Sequence, residues 1–197
     1  MPSKIRTFLS NFIVFRECFY QSLTLLSLSN LYLLPIANFM TTTESISLNE
    51  TVLPLVEGVL SKDLSLNEKL FGICEILQDN VENFDWVGFY LVDPDNNRQL
   101  VLGPFVGEPT DHTTIPFGKG ICGQVAESHE TFVSQDVSAE DNYISCSHYV
   151  QSEIVVPIMK GDNFVAQIDI DSNKKNSISE EKKELLEKIC TLLSNEF

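Results

Sequence analysis

The sequence predicts an α+β fold, an antiparallel sheet with helices packed on one face. Three observations predict it. Apolar, β-branched and aromatic runs are separated by short clusters of Asp, Asn, Gly and Pro, which is the pattern of strands joined by hairpins. Segments with apolar residues at helical spacing stand at both ends of those runs, so the helices are segregated from the sheet rather than alternating with its strands. The 197 residues, 43% apolar and with thirteen Phe, suffice for one substantial core.

The first 39 residues stand apart. They carry Lys4, Arg6 and Arg16 against Glu17 alone, a net +2, which leaves −17 for the rest of a chain whose total is −15. Three readings compete for this stretch. A membrane span needs about 20 mainly apolar residues, and the run from Phe19 to Phe39 is interrupted by Gln21, Ser22, Ser27, Ser29, Asn30, Pro35 and Asn38. A secretory signal has a basic start and a short apolar core, but no clear small-residue cleavage site follows. The third reading takes Met40 as the true start and residues 1–39 as an extension outside the fold. It is preferred because MTTTESISLNETV reads as an ordinary amino terminus running into a helix. Residues 40–197 then form a single domain.

From Ser47 the elements follow in order. Ser47 and Glu50 form a capping-box signature, and Val52, Leu55, Val56, Val59 and Leu60 recur at helical spacing. A second helix starts near Ser65, with Glu68 at its third position and Leu70, Ile73, Cys74, Leu77 and Val81 along one face. Trp86 to Val92 is a strand, closed by a turn at 93–97 and paired in a hairpin with Gln99 to Phe105. After a loop, Ile115 to Gly120 is a Gly-containing turn before a helix from about Ile121 to Glu127. Thr131 to Val133 is a short strand, and Asp136 to Gln151 a polar loop long enough to carry function. Ser152 to Met159 and Phe164 to Ile170 are strands joined by the hairpin turn at 160–163. Ser179 opens the last helix, along Leu185, Leu186, Ile189, Leu192 and Leu193, although Lys182 stands where a capping box would place Glu. There is no internal repeat.

An acidic chain, with pI near 4.4, is a poor partner for nucleic acid, whose binding relies on clustered Lys and Arg. Five cysteines without a convincing signal read as free thiols. Cys74 and Cys190 lie on apolar helical faces, and Cys18 is in the extension. Cys122 follows the Gly-containing turn at a helix start, where backbone N–H groups and the helix dipole favour a thiolate. Cys146 sits between two serines in the polar loop. Each of these two, taken alone, also has a bland structural reading.

Asp169 and Asp171 flank Ile170, so both side chains point to one face of a strand that Val165, Ile168 and Ile170 mark as mainly buried. Buried acids need partners. Glu153 heads another apolar strand, and three acids at the mouth of one sheet can bind an ammonium group, hold a proton or coordinate a hard metal. Ordinary turn or surface roles are the bland alternative. Trp86 and Tyr90, four apart in a strand, share a face. They serve either as core or as an aromatic wall for a ligand with an apolar tail and a cationic head.

The strings DWVGFYL, LGPFVGEP, IPFGKGICG, SEIVVPI and IDIDS, in that order, resemble the free methionine-(R)-sulfoxide reductase family, which is built on a GAF domain. The resemblance runs from about Ser47 to the end. It implies a GAF-like sheet of about six strands with helices on one face. It implies that Cys146 is the thiol that attacks the sulfoxide and that Cys122 is the cysteine of the family's Gly-rich motif. Glu153, Asp169 and Asp171 match acids that hold the substrate amino group and assist protonation, and Trp86 and Tyr90 match the wall around the S-methyl end. The implied reaction passes through a cysteine sulfenic acid that a second thiol condenses to a disulfide, with no metal or organic cofactor. The implied partners are free methionine-(R)-sulfoxide, thioredoxin or another thiol reductant, and a second copy of the chain through the exposed faces of the first and last helices. The implied setting is the cytoplasm, away from membrane.

One departure stands out. The family usually carries a resolving cysteine ten residues before the Gly-rich motif's cysteine, and here His112 occupies that place. Either Cys122 resolves the oxidised nucleophile, or a small thiol does, or the chain is a GAF module that binds a small molecule or senses redox state without turnover. Which of Cys122 and Cys146 attacks first stays open at this point.

Overall fold

The computed structural model describes residues 47–144 and 148–197. The amino-terminal extension with Cys18, and Cys146, lie outside the described residues.

Two helices open the fold, α1 (Leu48–Leu60) and α2 (Leu66–Asn80), and both begin with complete capping boxes, Ser47 with Glu50 and Ser65 with Glu68. Each box satisfies two backbone N–H groups that a helix start leaves orphaned. The strands are β1 (Trp86–Asp93), β2 (Asn96–Val106), β3 (Thr114–Pro116), β4 (Phe132–Ser134), β5 (Ser152–Lys160) and β6 (Asn163–Ser172). Helix α3 (Gly120–Ser128) lies between β3 and β4, and α4 (Glu180–Leu193) closes the chain. The six strands form one sheet in the order β3-β2-β1-β6-β5-β4, and every pair is antiparallel. Six strands and four helices match the expected α+β class.

Period-two alternation divides the sheet into two faces. Val87 and Phe89 of β1, Ile154, Val156 and Ile158 of β5, and Ala166, Ile168 and Ile170 of β6 form one buried cluster with Val52 and Val56 of α1, Leu70, Ile73 and Leu77 of α2, and Leu185, Leu186 and Ile189 of α4. The expected layer of helices on one face is therefore α1, α2 and α4. Helix α3 is the correction to that expectation: its Ile121, Val125 and Ala126 pack with Trp86, Tyr90, Leu100, Ile115 and Val155 in a second cluster. The opposite face thus has its own cover, and the polar residues of β5 and β6 lie beneath it.

Two further details differ from the sequence reading. The segment 114–116, read as the end of a loop and the start of a turn, pairs with β2 as a three-residue strand. The first hairpin turn is also tighter, with Asp93 already opposite Asn96. At the start of α4, Ser179 Oγ accepts the Lys182 N–H. The Lys182 side chain does something a capping Glu could not. Its Nζ donates to the carbonyls of Glu82 (2.6 Å) and Ser177 (2.8 Å) and lies 5.1 Å from the centre of the Phe84 ring, tying the α2–β1 connection to the approach to α4.

Candidate active site

The pairing of the central strands assembles the acids. Strand β6 runs between β1 and β5, with Asp171 opposite Trp86 on one side and Glu153 on the other, and Asp169 opposite Gly88 and Val155. Because directly opposed residues share a face, Glu153, Asp169, Asp171, Trp86 and Tyr90 all lie on the side that α3 covers. They are buried: Glu153 is 5% exposed, Asp169 1% and Asp171 2%. Asp169 Oδ1 and Asp171 Oδ1 have no hydrogen-bond partner among the described residues.

Cys122 reaches this row from above. It lies in the first turn of α3 and its Sγ–H donates to Asp169 Oδ2 at 3.2 Å. The sequence places Cys122 at a helix start that favours a thiolate; in the structure it is 5% exposed, with its sulfur against the Asp169 carboxyl. The helix itself is capped from a distance. Lys119 makes no side-chain cap, and Asn142 Oδ1 instead accepts the Gly120 N–H (3.1 Å) while its Nδ2 donates to the Gly118 carbonyl (2.9 Å). Gln124 Nε2 donates back to the Asn142 carbonyl at 3.2 Å. These bonds fasten the 136–151 loop to the start of α3, two residues before Ile144, whose side chain packs on Gly120.

Trp86 forms the wall. Its ring stacks on Phe105 at 5.5 Å and lies 6.4 Å from Tyr90, with Nε1 donating to the Glu108 carbonyl at 3.1 Å. The ring can lie against the sheet because two glycines make room. A Cβ at Gly88 would stand 2.2 Å from Trp86 Cη2, and one at Gly107, where φ is +138°, 2.4 Å from Cδ1. Tyr90 is fully buried behind Trp86, and its hydroxyl donates to the His112 carbonyl at 2.8 Å.

A cavity of about 140 Å³ opens beside Trp86 and Asp171, bounded also by Asp85, Glu108, Thr110 and Asn173, with Tyr149 at 65% exposure on its lining. The acidic residues Asp85, Glu108 and Asp171 contribute to this lining, and among the described residues no Lys or Arg does. A cationic head group is the chemistry that suits such a site. A second, much smaller cavity of about 10 Å³ touches Cys122, Glu153, Gly120 and Ile144.

Burial sets the acidity of the row. It raises Asp169 to about 7, against the Cys122 hydrogen bond, which pulls the value down by favouring the carboxylate. Glu153 and Asp171 are pushed well above the usual carboxylate range, first by burial and then by the charge of Asp169. Lys119 also borders the smaller cavity, yet none of the three acids forms an ion pair among the described residues; biased toward their protonated forms, they can donate a proton to a ligand or release one to make room for an ammonium group.

The structure therefore brings together six of the seven residues singled out in the sequence, though they face different openings. Trp86 and Asp171 line the larger cavity, Cys122 and Glu153 the smaller, and Asp169 is buried in the row with Cys122 bonded to it; Tyr90 backs the wall. The seventh, Cys146, lies outside the described residues. Asp85, Glu108, Thr110 and Asn173 were not foreseen. Asp85 stands beside Trp86 in the sequence, but the bonds from the Asn173 N–H to its Oδ2 (2.7 Å) and from its own N–H to the Asp171 carbonyl (3.0 Å) show that the two segments meet.

The family model described as GAF domain matches residues 64–195. Among relatives, the chain is 39% identical over 146 residues to GAF domain-containing protein A of Dictyostelium discoideum, covering 74% of this chain and 90% of that protein. It is 37% identical over 113 residues to the free methionine-R-sulfoxide reductase of Saccharomyces cerevisiae, covering 57% of this chain and 62% of that one. Among solved structures, the free methionine-R-sulfoxide reductase of Neisseria meningitidis in complex with its substrate superposes with a TM-score of 0.70 at 35% identity, over 74% of this chain and 86% of that chain. On its ordered motifs, its six-stranded sheet and these likenesses, the chain belongs to the GAF-domain family and, within it, to the free methionine-(R)-sulfoxide reductases.

Proposed function

We propose that this chain reduces free L-methionine-(R)-S-oxide to L-methionine, with its own cysteine thiols as the immediate reductant. The observation that carries the reading is the buried row of Glu153, Asp169 and Asp171, with Cys122 bonded to Asp169 and Trp86 walling the adjoining cavity. The substrate is a zwitterion with a short apolar tail. Its ammonium group replaces the missing cation beside the acids, and its S-methyl end rests on Trp86, with Tyr90 behind.

The chemistry follows from thiol and acid. Cys146 is assigned as the nucleophile. Its sulfur attacks, an acid of the row protonates the sulfoxide oxygen as that oxygen passes to cysteine, and a thiol plus a sulfoxide become a sulfenic acid plus methionine. Cys122 then attacks the sulfenic sulfur, a disulfide forms and water leaves. A dithiol such as thioredoxin, or two equivalents of a small thiol, takes up the disulfide and restores both cysteines. Cys122 takes the resolving role because His112 occupies the place of the family's usual resolving cysteine. Such recycling suits the cytoplasm, where thiols are kept reduced. Among the described residues no helix is long and apolar enough to cross a membrane. A homodimer through the outer faces of α1 and α4 completes the proposal.

Turnover of the full chain on free methionine-(R)-sulfoxide tests it, with the S epimer and a peptide-bound sulfoxide as controls and with dithiothreitol or a thioredoxin system as reductant. R-specific turnover that Cys146→Ser abolishes is expected, with Cys122→Ser stalling after one product per chain under thioredoxin. Turnover untouched by Cys146→Ser would remove that residue from the mechanism. The missing resolving cysteine favours one rival, a GAF module that binds without turnover. Stoichiometric binding of the sulfoxide by a folded chain that forms no product would establish that rival.

A further inference from the structure

We propose that Cys122, Glu153 and Asp169 form a zinc-binding site, and that zinc and the cationic substrate compete for these groups. The competition rests on the reductase reading; the metal binding does not.

The ligand atoms of these three residues lie within 4.8 Å of one another. They come from α3, β5 and β6, so the packing of a helix on two strands holds them together without any loop having to order. Atoms no farther apart than that have a common centre within about 2.8 Å of each, and a contraction of at most about 0.5 Å for the sulfur and about 0.6–0.8 Å for the oxygens reaches ordinary zinc–sulfur and zinc–oxygen lengths. One ligand already leans on another, with Cys122 Sγ 3.2 Å from Asp169 Oδ2.

An independent observation points to a missing cation. Asp171, directly across from Glu153 and 2% exposed, has its Oδ1 without a partner among the described residues, as does Asp169 Oδ1. The ion pairs formed among the described residues lie elsewhere, at Lys69–Glu196, Arg98–Glu127, Lys175–Asp136 and Lys183–Glu180. The cavity of about 10 Å³ against Cys122 and Glu153 is of the size that holds one water or ion and no larger molecule. A sulfur donor among oxygens selects zinc over magnesium or calcium, which are hard cations. A water molecule supplies the fourth position that tetrahedral zinc requires.

The test uses the full chain, reduced with a non-chelating phosphine and freed of metal. Zinc is titrated against a chromophoric zinc indicator, and cobalt(II) is added separately as an optical probe of sulfur ligation. One zinc per chain is expected, with a thiolate-to-cobalt charge-transfer band. Cys122→Ser should abolish that band and weaken zinc at least tenfold, Glu153→Gln should weaken zinc at least tenfold, and Cys146→Ser and Cys190→Ser should leave the affinity within twofold. Circular dichroism identifies any variant that fails to fold, and the two site variants serve as checks on each other. Zinc affinity unchanged in folded Cys122→Ser or Glu153→Gln, or a cobalt complex without the band, would overturn the site. Methionine-(R)-sulfoxide should lower the apparent zinc affinity in proportion to its concentration. Zinc binding that the sulfoxide does not affect would overturn the competition alone, while zinc binding by a chain that shows no turnover would overturn the reductase reading and leave the metal site standing.

Discussion

Trp86 is the chain's one tryptophan, and its environment is built for it. A methyl group at Gly88 would stand 2.2 Å from its ring and 2.9 Å from Phe105 Cβ, distances that force the ring off the sheet. Gly88→Ala is expected to cost about 1–3 kcal/mol by overpacking and to deform the cavity wall. Thermal denaturation reads the first effect, and the sole tryptophan's emission reads the second. The same fluorophore reports occupancy. Adding methionine sulfoxide to the wild-type chain should change the emission saturably, and an unchanged spectrum at saturating substrate would place the S-methyl end away from Trp86. Lys182 shows a residue whose task is structural. Its replacement by Met removes the donor that serves the Glu82 and Ser177 carbonyls, and the expected loss is about 1–3 kcal/mol in a chemical-denaturation midpoint.

At the level of elements, the site depends on strand pairing and on one loop attachment. A one-residue slip of β6 would turn Asp169 and Asp171 into the helix layer and Ile168 and Ile170 onto the site face. The apolar cluster with α1, α2 and α4 is what forbids that slip. Helix α3 depends on Asn142, which caps it from another part of the chain. Asn142→Ala should cost about 1 kcal/mol, the usual worth of an N-cap. Hydrogen exchange of the Gly120 amide should quicken by roughly tenfold or less. Exchange unaltered in that variant would mean that packing by Ile144 alone holds the helix start.

For the whole molecule, charge and burial act together through pH. The unfolded chain's carboxyls lose their protons near about pH 4. In the folded chain Asp169 holds its proton to about 7, and Glu153 and Asp171 are also raised, chiefly by burial. The folded state therefore binds more protons in this window. The stability these groups contribute is whole below their unfolded values and is lost as pH rises through their raised folded values, about 7 for Asp169. Unfolding free energy should fall between about pH 4 and 7 by an amount on the order of a few kcal/mol, and Asp169→Asn should flatten that fall. The net charge of −15 adds self-repulsion over the same range. A denaturation midpoint independent of pH in the wild-type chain would show that the acids are better solvated than their burial implies.

The sequence by itself determined what is local. Capping boxes mark both helix starts within four residues, alternation puts Asp169 and Asp171 on one face, and the same rule joins Trp86 to Tyr90. Motif order, from DWVGFYL to IDIDS, was enough to identify the family. Short range is also why β3 went unread, since three residues carry no period, and why α3 was assigned to the wrong layer, since an amphipathic stripe records that a helix is buried but not against which face of the sheet. The tertiary structure alone decided that β6 runs between β1 and β5, which sets Asp171 between Trp86 and Glu153, that Cys122 descends onto Asp169, and that Asp85, Glu108, Thr110 and Asn173 share a cavity. Those juxtapositions join residues up to 88 positions apart, as in the bond between Asp85 and Asn173. Such contacts form because burying the two apolar clusters on either side of the sheet leaves the polar residues of its centre no other neighbours.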